Sequence, residues 1–149
     1  MDYEIAYSVI NLGVLPAWLL LFFVPGSGWT RKLVHSGLYL AVYGGLYVVL
    51  MARAMFFGVG AEDGGMTDAA GVSAFFSHPN GVLIGWLHYL VFDLFVGSWI
   101  GRDGARRGIA HWKLVPCLFF TLMFGPIGLL LYIMLRRFGG HADWGLKEA

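Results

Sequence analysis

The stretch GWLHYLVFDLFVGSW, residues 85–99, decides how the rest of the chain is read. It is apolar enough to lie in hydrocarbon, yet it holds His88 and, five residues on, Asp93. Extended to residues 81–101, the run reaches the roughly 20 residues that a helix needs to cross a hydrocarbon core about 30 Å thick. A carboxylate near the centre of such a span costs at least about 2.5–3.5 kcal/mol, and residues of this kind usually serve function. The short side chain of Asp93 cannot snorkel to the headgroups. It has to be paired, hydrogen-bonded, protonated or placed in a water-filled cavity.

Three further runs have spanning length: residues 5–24, 36–57 and 112–135. The whole chain agrees with them. Of its 149 residues 58% are hydrophobic and 13% charged, against about 25% charged in a soluble domain, and mean hydropathy is +0.70. The expected fold is all-α: a single transmembrane domain over residues 1–149, built as a polytopic bundle of four transmembrane helices. A net charge of +1 provides no basic field for nucleic acid. The single cysteine, Cys117, excludes an internal disulfide and any zinc-finger spacing. The opening MDYEIAYS is acidic and lacks a small-residue cleavage site, so the first run is expected to stay in the mature protein.

Lys and Arg near the helix ends set orientation. The first loop carries Arg31 and Lys32, and the third carries Arg102, Arg106 and Arg107. The second holds Glu62, Asp63 and Asp68 with no Lys or Arg. Loops one and three are therefore expected in the cytoplasm and both termini outside, in the inner membrane of a bacterial cell. Arg136 and Arg137, after the fourth run, contradict that count. The second loop, about 23 residues long, exceeds what a bundle needs, and its SAFFSHP segment is expected to lie in the interface or to act as a lid over a cavity. Pro16 and Gly125-Pro126 break the helical pattern of the first and fourth runs.

On a straight helix His88 and Asp93 point about 140° apart and differ by about 7.5 Å in depth. Asp93 shares its face with Trp86, Tyr89 and Gly97, and His88 shares its own with Phe92, Phe95 and Trp99. Both faces should be buried, by a central position in the bundle or by a second copy of the chain. Asn11 and Arg53 fall on the outer half with His88; Tyr43 and Thr121 come near the level of Asp93. Arg53 either snorkels to the headgroups or offers its charge to a ligand. Phe92, Phe95 and Trp99 are expected to line a cavity for a long, flat, apolar ligand. No CxxC, HExxH, GxSxG, GxGxxG or P-loop pattern is present. His35, His78, His111 and His141 are scattered, so neither a metal nor a cofactor is expected.

The pattern W-x-H-x-L-x-x-D-L-F, here Trp86, His88, Leu90, Asp93, Leu94 and Phe95, resembles the abscisic-acid-deficient-four-like membrane protein family. Asp103 in IGRDGARRGI and the Pro-x-Gly of Pro126 and Gly128 extend the resemblance, which covers most of residues 75–135. Plant members of that family are required to form neoxanthin from violaxanthin. The resemblance implies a membrane-dissolved isoprenoid, a carotenoid or a relative, as substrate. Epoxide opening of that kind needs an acid at the epoxide oxygen and a base at the leaving proton, without a cofactor. Asp93, if protonated, can be the acid and neutral His88 the base, with Asp103 available for either role. Asn11, Tyr43, Arg53, Trp86, Tyr89, Phe92, Phe95, Trp99 and Thr121 are the expected substrate contacts. Two rival readings are a non-catalytic lipid or pigment binder and a proton-coupled small transporter with Asp93 and His88 as relay sites.

Overall fold

The computed structural model describes residues 2–139, and every element among them is helical. Asp2 starts α1 (Tyr3–Phe23), its Oδ1 accepting from the backbone N–H groups of Glu4 and Ile5 at 3.1 Å each. A π-helical turn, Thr30–His35, leads into α2 (Leu38–Phe57). The short α3 (Ala69–Ser77) is capped by Asp68, whose Oδ1 accepts from the Gly71 N–H at 2.8 Å. Pro79 opens α4 (Pro79–Arg106), where its missing N–H costs nothing. Two shorter helices follow, α5 (His111–Phe124) and α6 (Pro126–Phe138).

Among the described residues α1, α2 and α4 are long and apolar enough to cross a membrane. The run at 112–135 is not a fourth such helix. Gly125 ends α5 at φ +43° and ψ −87°, a conformation closed to ordinary L-residues, and Pro126 cannot donate to continue the ladder. With 14 and 13 residues, α5 and α6 are each only about 20 Å long. The chain also reverses between them. A Cβ at Gly128 would overlap the Thr121 nitrogen and the Cys117 carbonyl oxygen. In a straight helix residues 121 and 128 would stand about 10 Å apart. Sequence reading took Gly125-Pro126 for an interruption within one span; it is the tip of a helical hairpin.

Contacts divide the chain into two units, Met1–Leu15 with Leu40–Val91 and Pro16–Tyr39 with Phe92–Ala149. In the first, the Tyr43 hydroxyl donates to the Ile10 carbonyl at 2.8 Å and lies against Gly13. Asn80 Nδ2 donates to the carbonyls of Leu50 (3.2 Å) and Val59 (3.0 Å), tying the start of α4 to the end of α2.

In the second unit, Trp18 packs against the bare backbone of Gly97, where a Cβ would stand 2.6 Å from the indole. Leu114, near the start of α5, fills the space over Gly104. Toward the end of α6, Tyr132 and Arg136 meet Asp103 of the same α4 turn. Both ends of the hairpin therefore lie at the loop-three end of α4, while its tip at Gly125 touches Asp93. Arg136 thus returns to the end of α4 that carries Arg102, Arg106 and Arg107.

Candidate functional sites

His88 and Asp93 leave α4 on different faces, as the helical period requires. His88 faces α2, its ring centroid 6.1 Å from that of Tyr47. With Tyr47, Met51, Met66, Ile84 and Tyr89 it lines a cavity of about 390 Å³ to which Phe75 and Phe76 of α3 add two aromatic walls. Gly85 permits that approach, because a Cβ there would overlap the Phe76 ring. The SAFFSHP segment thus belongs to a short helix whose phenylalanines line a His88-bearing cavity. Neither Tyr47 nor the phenylalanines stood among the expected ligand contacts, although the paired phenylalanines in a polar loop were the visible signal.

Asn11 and Trp86 meet directly, the indole Nε1 donating to Asn11 Oδ1 at 3.2 Å, and Tyr7 and Tyr89 pack on the same indole at 5.5 and 6.4 Å. Arg53 lines a second cavity, about 500 Å³, whose other walls are mostly aliphatic: Ile5, Val9, Ile10, Leu46, Val49, Leu50 and Leu83 among them. The expected roles of Tyr43 and Thr121 change. Tyr43 commits its hydroxyl to the Ile10 carbonyl, and buried Thr121 donates to Cys117 O at 2.8 Å inside α5. Phe92 and Phe95 are 54% and 50% exposed on the outer face of α4, in line with Tyr89, rather than enclosed. Trp99 packs edge-on to Tyr132 at 5.2 Å and lies under the Arg136 guanidinium.

Asp93 is partly buried and rests against Gly125 at the hairpin tip. Asp103, fully buried, accepts from Tyr132 Oη at 2.5 Å and from Arg107 Nε at 2.8 Å, with Arg136 Nη1 at 3.4 Å. Its charge clamps α6 to α4, which suits an anchor better than a proton carrier.

At the Asp103 end of the second unit, loops one and three come together. His35 Nδ1 and Ser98 Oγ are 3.0 Å apart, and Arg102 Nη1 donates to the same hydroxyl at 2.6 Å. Burial, and then the Arg102 charge, hold the His35 imidazole below its ordinary pKa of 6.5. His111 Nε2 lies 2.8 Å from the Phe22 carbonyl oxygen. His78 packs edge-on to Tyr3, and His141 falls outside the described residues. Among the described residues no three His, Cys, Asp or Glu side chains gather around a common point that could hold a metal ion.

Described residues that are all helical in their elements, three helices of membrane length among them, a histidine-bearing cavity and the aspartate–arginine clamp are the arrangement on which the comparisons bear. The chain belongs to the ABA DEFICIENT 4-like family, whose model matches residues 5–132. Among its relatives is the protein ABA DEFICIENT 4, chloroplastic, of Arabidopsis thaliana, 26% identical over 144 residues. The alignment covers 89% of this chain, which spans 62% of that relative. No solved structure matches.

Proposed function

We propose that this protein is an integral membrane protein of the inner membrane that binds a carotenoid or related isoprenoid and isomerises it by acid–base chemistry. The single observation that carries this reading is the cavity under Phe75 and Phe76, in which His88 is the basic side chain among aromatic and aliphatic walls. A cyclic isoprenoid end group fits such a lining, and pockets of this type usually hold their ligand by apolar contact with few polar groups. From Tyr89 an exposed aromatic row continues through Phe92 and Phe95 along α4, where a polyene chain would lie in the lipid. Family membership favours the same ligand class.

For an epoxide substrate the step balances without a cofactor. His88 takes a proton from carbon, the electron pair forms the new double bond, the C–O bond breaks, and an acid protonates the oxygen as an alcohol. Asp93, expected as that acid, leaves α4 on another face against Gly125 and does not line this cavity. The phenols of Tyr47 and Tyr89, which line the cavity with His88, are placed for the role instead. Loops one and three, together with the end of α6, face the cytoplasm in this reading, since all the arginine-rich ends then lie on one side.

The test is purification from membranes of a carotenoid-making host, followed by absorbance and mass spectrometry of extracted pigment. Wild type should retain a polyene, and with an added epoxycarotenoid should yield a product of unchanged mass. His88→Gln should retain pigment but lose most conversion, by about 10²-fold or more for a removed general base. Retention without conversion in wild type would favour the non-catalytic binder. A colourless wild type that leaves the substrate unchanged would end the carotenoid reading, and pH-driven flux in liposomes would then support the transporter.

A further inference from the structure

Arg53 stands about one turn before the end of α2, inside an apolar spanning helix. In the first unit it lines the aliphatic cavity of about 500 Å³ together with Asp2, so a guanidinium and a carboxylate share the walls of one space. Along α1 the lining extends from Asp2 to Ile10, and along α2 from Arg53 back to Leu46. At 1.5 Å per residue the cavity is about 10–12 Å long. Both charges lie at its second-loop end, where α1 begins and α2 finishes.

The cavity has an inner wall and an open side. Ile10, Leu50 and Leu83 are buried, whereas Ile5, Val9 and Val49 are each more than half exposed. Since α1 and α2 have membrane length, those exposed side chains face the acyl layer. Tyr43 joins the two helices at the level of Ile10, the lining residue of α1 farthest from Asp2, its hydroxyl donating to the Ile10 carbonyl at 2.8 Å. A space that is aliphatic along its length, open to lipid at its side and charged at one end matches an amphiphile with a flexible aliphatic chain. The His88 cavity differs, because aromatic rings contribute its walls.

The two charges select the head. Snorkelling from one turn inside the helix end brings the Arg53 guanidinium to headgroup level. Its five N–H donors form a fork that matches phosphate oxygens, so it can serve a phosphate alongside its other partners. Asp2 accepts the N–H groups of Glu4 and Ile5 through Oδ1, and a carboxylate has about four acceptor positions over its two oxygens. Glu4 in the same turn adds a second negative charge. This end therefore attracts an ammonium group and disfavours a headgroup of net negative charge.

We propose that the cavity between α1 and α2 is a binding site for a zwitterionic phospholipid, with one acyl chain along Val9 and Val49, the phosphate at Arg53 and the amine toward Asp2. This site is independent of the isoprenoid reading and needs neither His88 nor Asp93.

The full chain, purified in an uncharged detergent, would be placed in nanodiscs holding equal amounts of phosphatidylethanolamine and phosphatidylglycerol with the same acyl chains. Native mass spectrometry of the released protein then counts the lipid that it keeps. Wild type should keep phosphatidylethanolamine several-fold over phosphatidylglycerol. Val49→Trp, which fills the cavity, should lose that lipid, whereas Val48→Trp, at an exposed α2 position outside the lining, should keep it. Should Val49→Trp not fold, Ala6→Leu fills the same space from α1 with a smaller group. Asp2→Asn preserves a capping side chain for α1 and should bring the ratio of the two lipids close to one. Retention of neither lipid by wild type, equal retention of both, a ratio that Asp2→Asn leaves unchanged, or an excess that the cavity-filling variants keep would overturn the proposal.

Discussion

The carboxylate of Asp93 rests on the backbone of Gly125: a methyl group added at Gly125 would stand 2.5 Å from Oδ1 and 3.3 Å from Cγ. The aspartate in the apolar stretch thus meets the junction between α5 and α6. The last carbonyls of α5 and the first N–H groups of α6 have no partners within their own helices there, and a helix N-terminus favours a negative group. Gly125→Ala should therefore destabilise the protein twice over. The left-handed backbone costs about 1–2 kcal/mol for a residue with a Cβ, and the methyl displaces the carboxylate. Gly45→Ala, a helical position with nothing within 4 Å, should be neutral or stabilising. Thermal unfolding of both in detergent decides it, and equal midpoints for the two variants would contradict the close approach.

The hairpin makes a topological prediction that a four-span bundle does not share. In a Cys117→Ala background, Lys32→Cys and Arg137→Cys should react with an impermeant thiol reagent from the same side of the membrane, and Glu62→Cys from the other. Four spanning helices would instead place Arg137→Cys with Glu62→Cys. Labelling of sealed vesicles in both orientations separates the two arrangements.

How much of this was legible follows from what hydropathy can and cannot carry. Length and apolar content found α1, α2 and α4, because a spanning helix satisfies its backbone locally and needs little from distant residues. The 3.6-residue period correctly sent His88 and Asp93 to different faces. Residues 112–135 misled because hydropathy is blind to direction: an apolar run that turns back at Gly125 scores like one that continues. The excess Arg136 and Arg137 were the available signal, and they appeared only as an inconsistency. Nor could the sequence announce that Asp103 meets Tyr132 and Arg136, since those partners come from a separate helix and depend on that reversal. Phe92 and Phe95 were read as cavity walls, but an aromatic row on a lipid-facing helix has the same spacing.

The Asp103 clamp should behave as a buried charge network. Arg136 is 1% exposed and Asp103 fully buried. Asp103→Ala would leave the guanidinium without its carboxylate, a change expected to cost about 3–5 kcal/mol. Asp103→Leu with Arg136→Met, combined with Tyr132→Phe so that no buried hydroxyl loses its acceptor, should recover part of that loss, since well-packed apolar replacements of buried ion pairs are often neutral or better. A double-mutant cycle on unfolding midpoints measures the coupling. Strictly additive losses would show that the two side chains do not act as a pair.

His35 should give the folded protein a pH-dependent edge of predictable sign. Its folded-state pKa lies below 6.5, through burial and the nearby Arg102 charge. Between that lowered value and 6.5 the unfolded chain binds more protons than the folded one, so stability increases with pH across the window. The contribution is complete above pH 6.5 and is lost as pH falls from there toward the folded-state value. The Asp68 cap works in the same direction but only below its ordinary 3.8, since the Gly71 N–H lowers that carboxyl, and the two windows do not overlap. His35→Gln keeps a polar partner for Ser98 but cannot titrate. Its unfolding midpoint should vary less with pH than that of wild type between about pH 5 and 7. If the two midpoints run parallel through that range, His35 is not the group that titrates there.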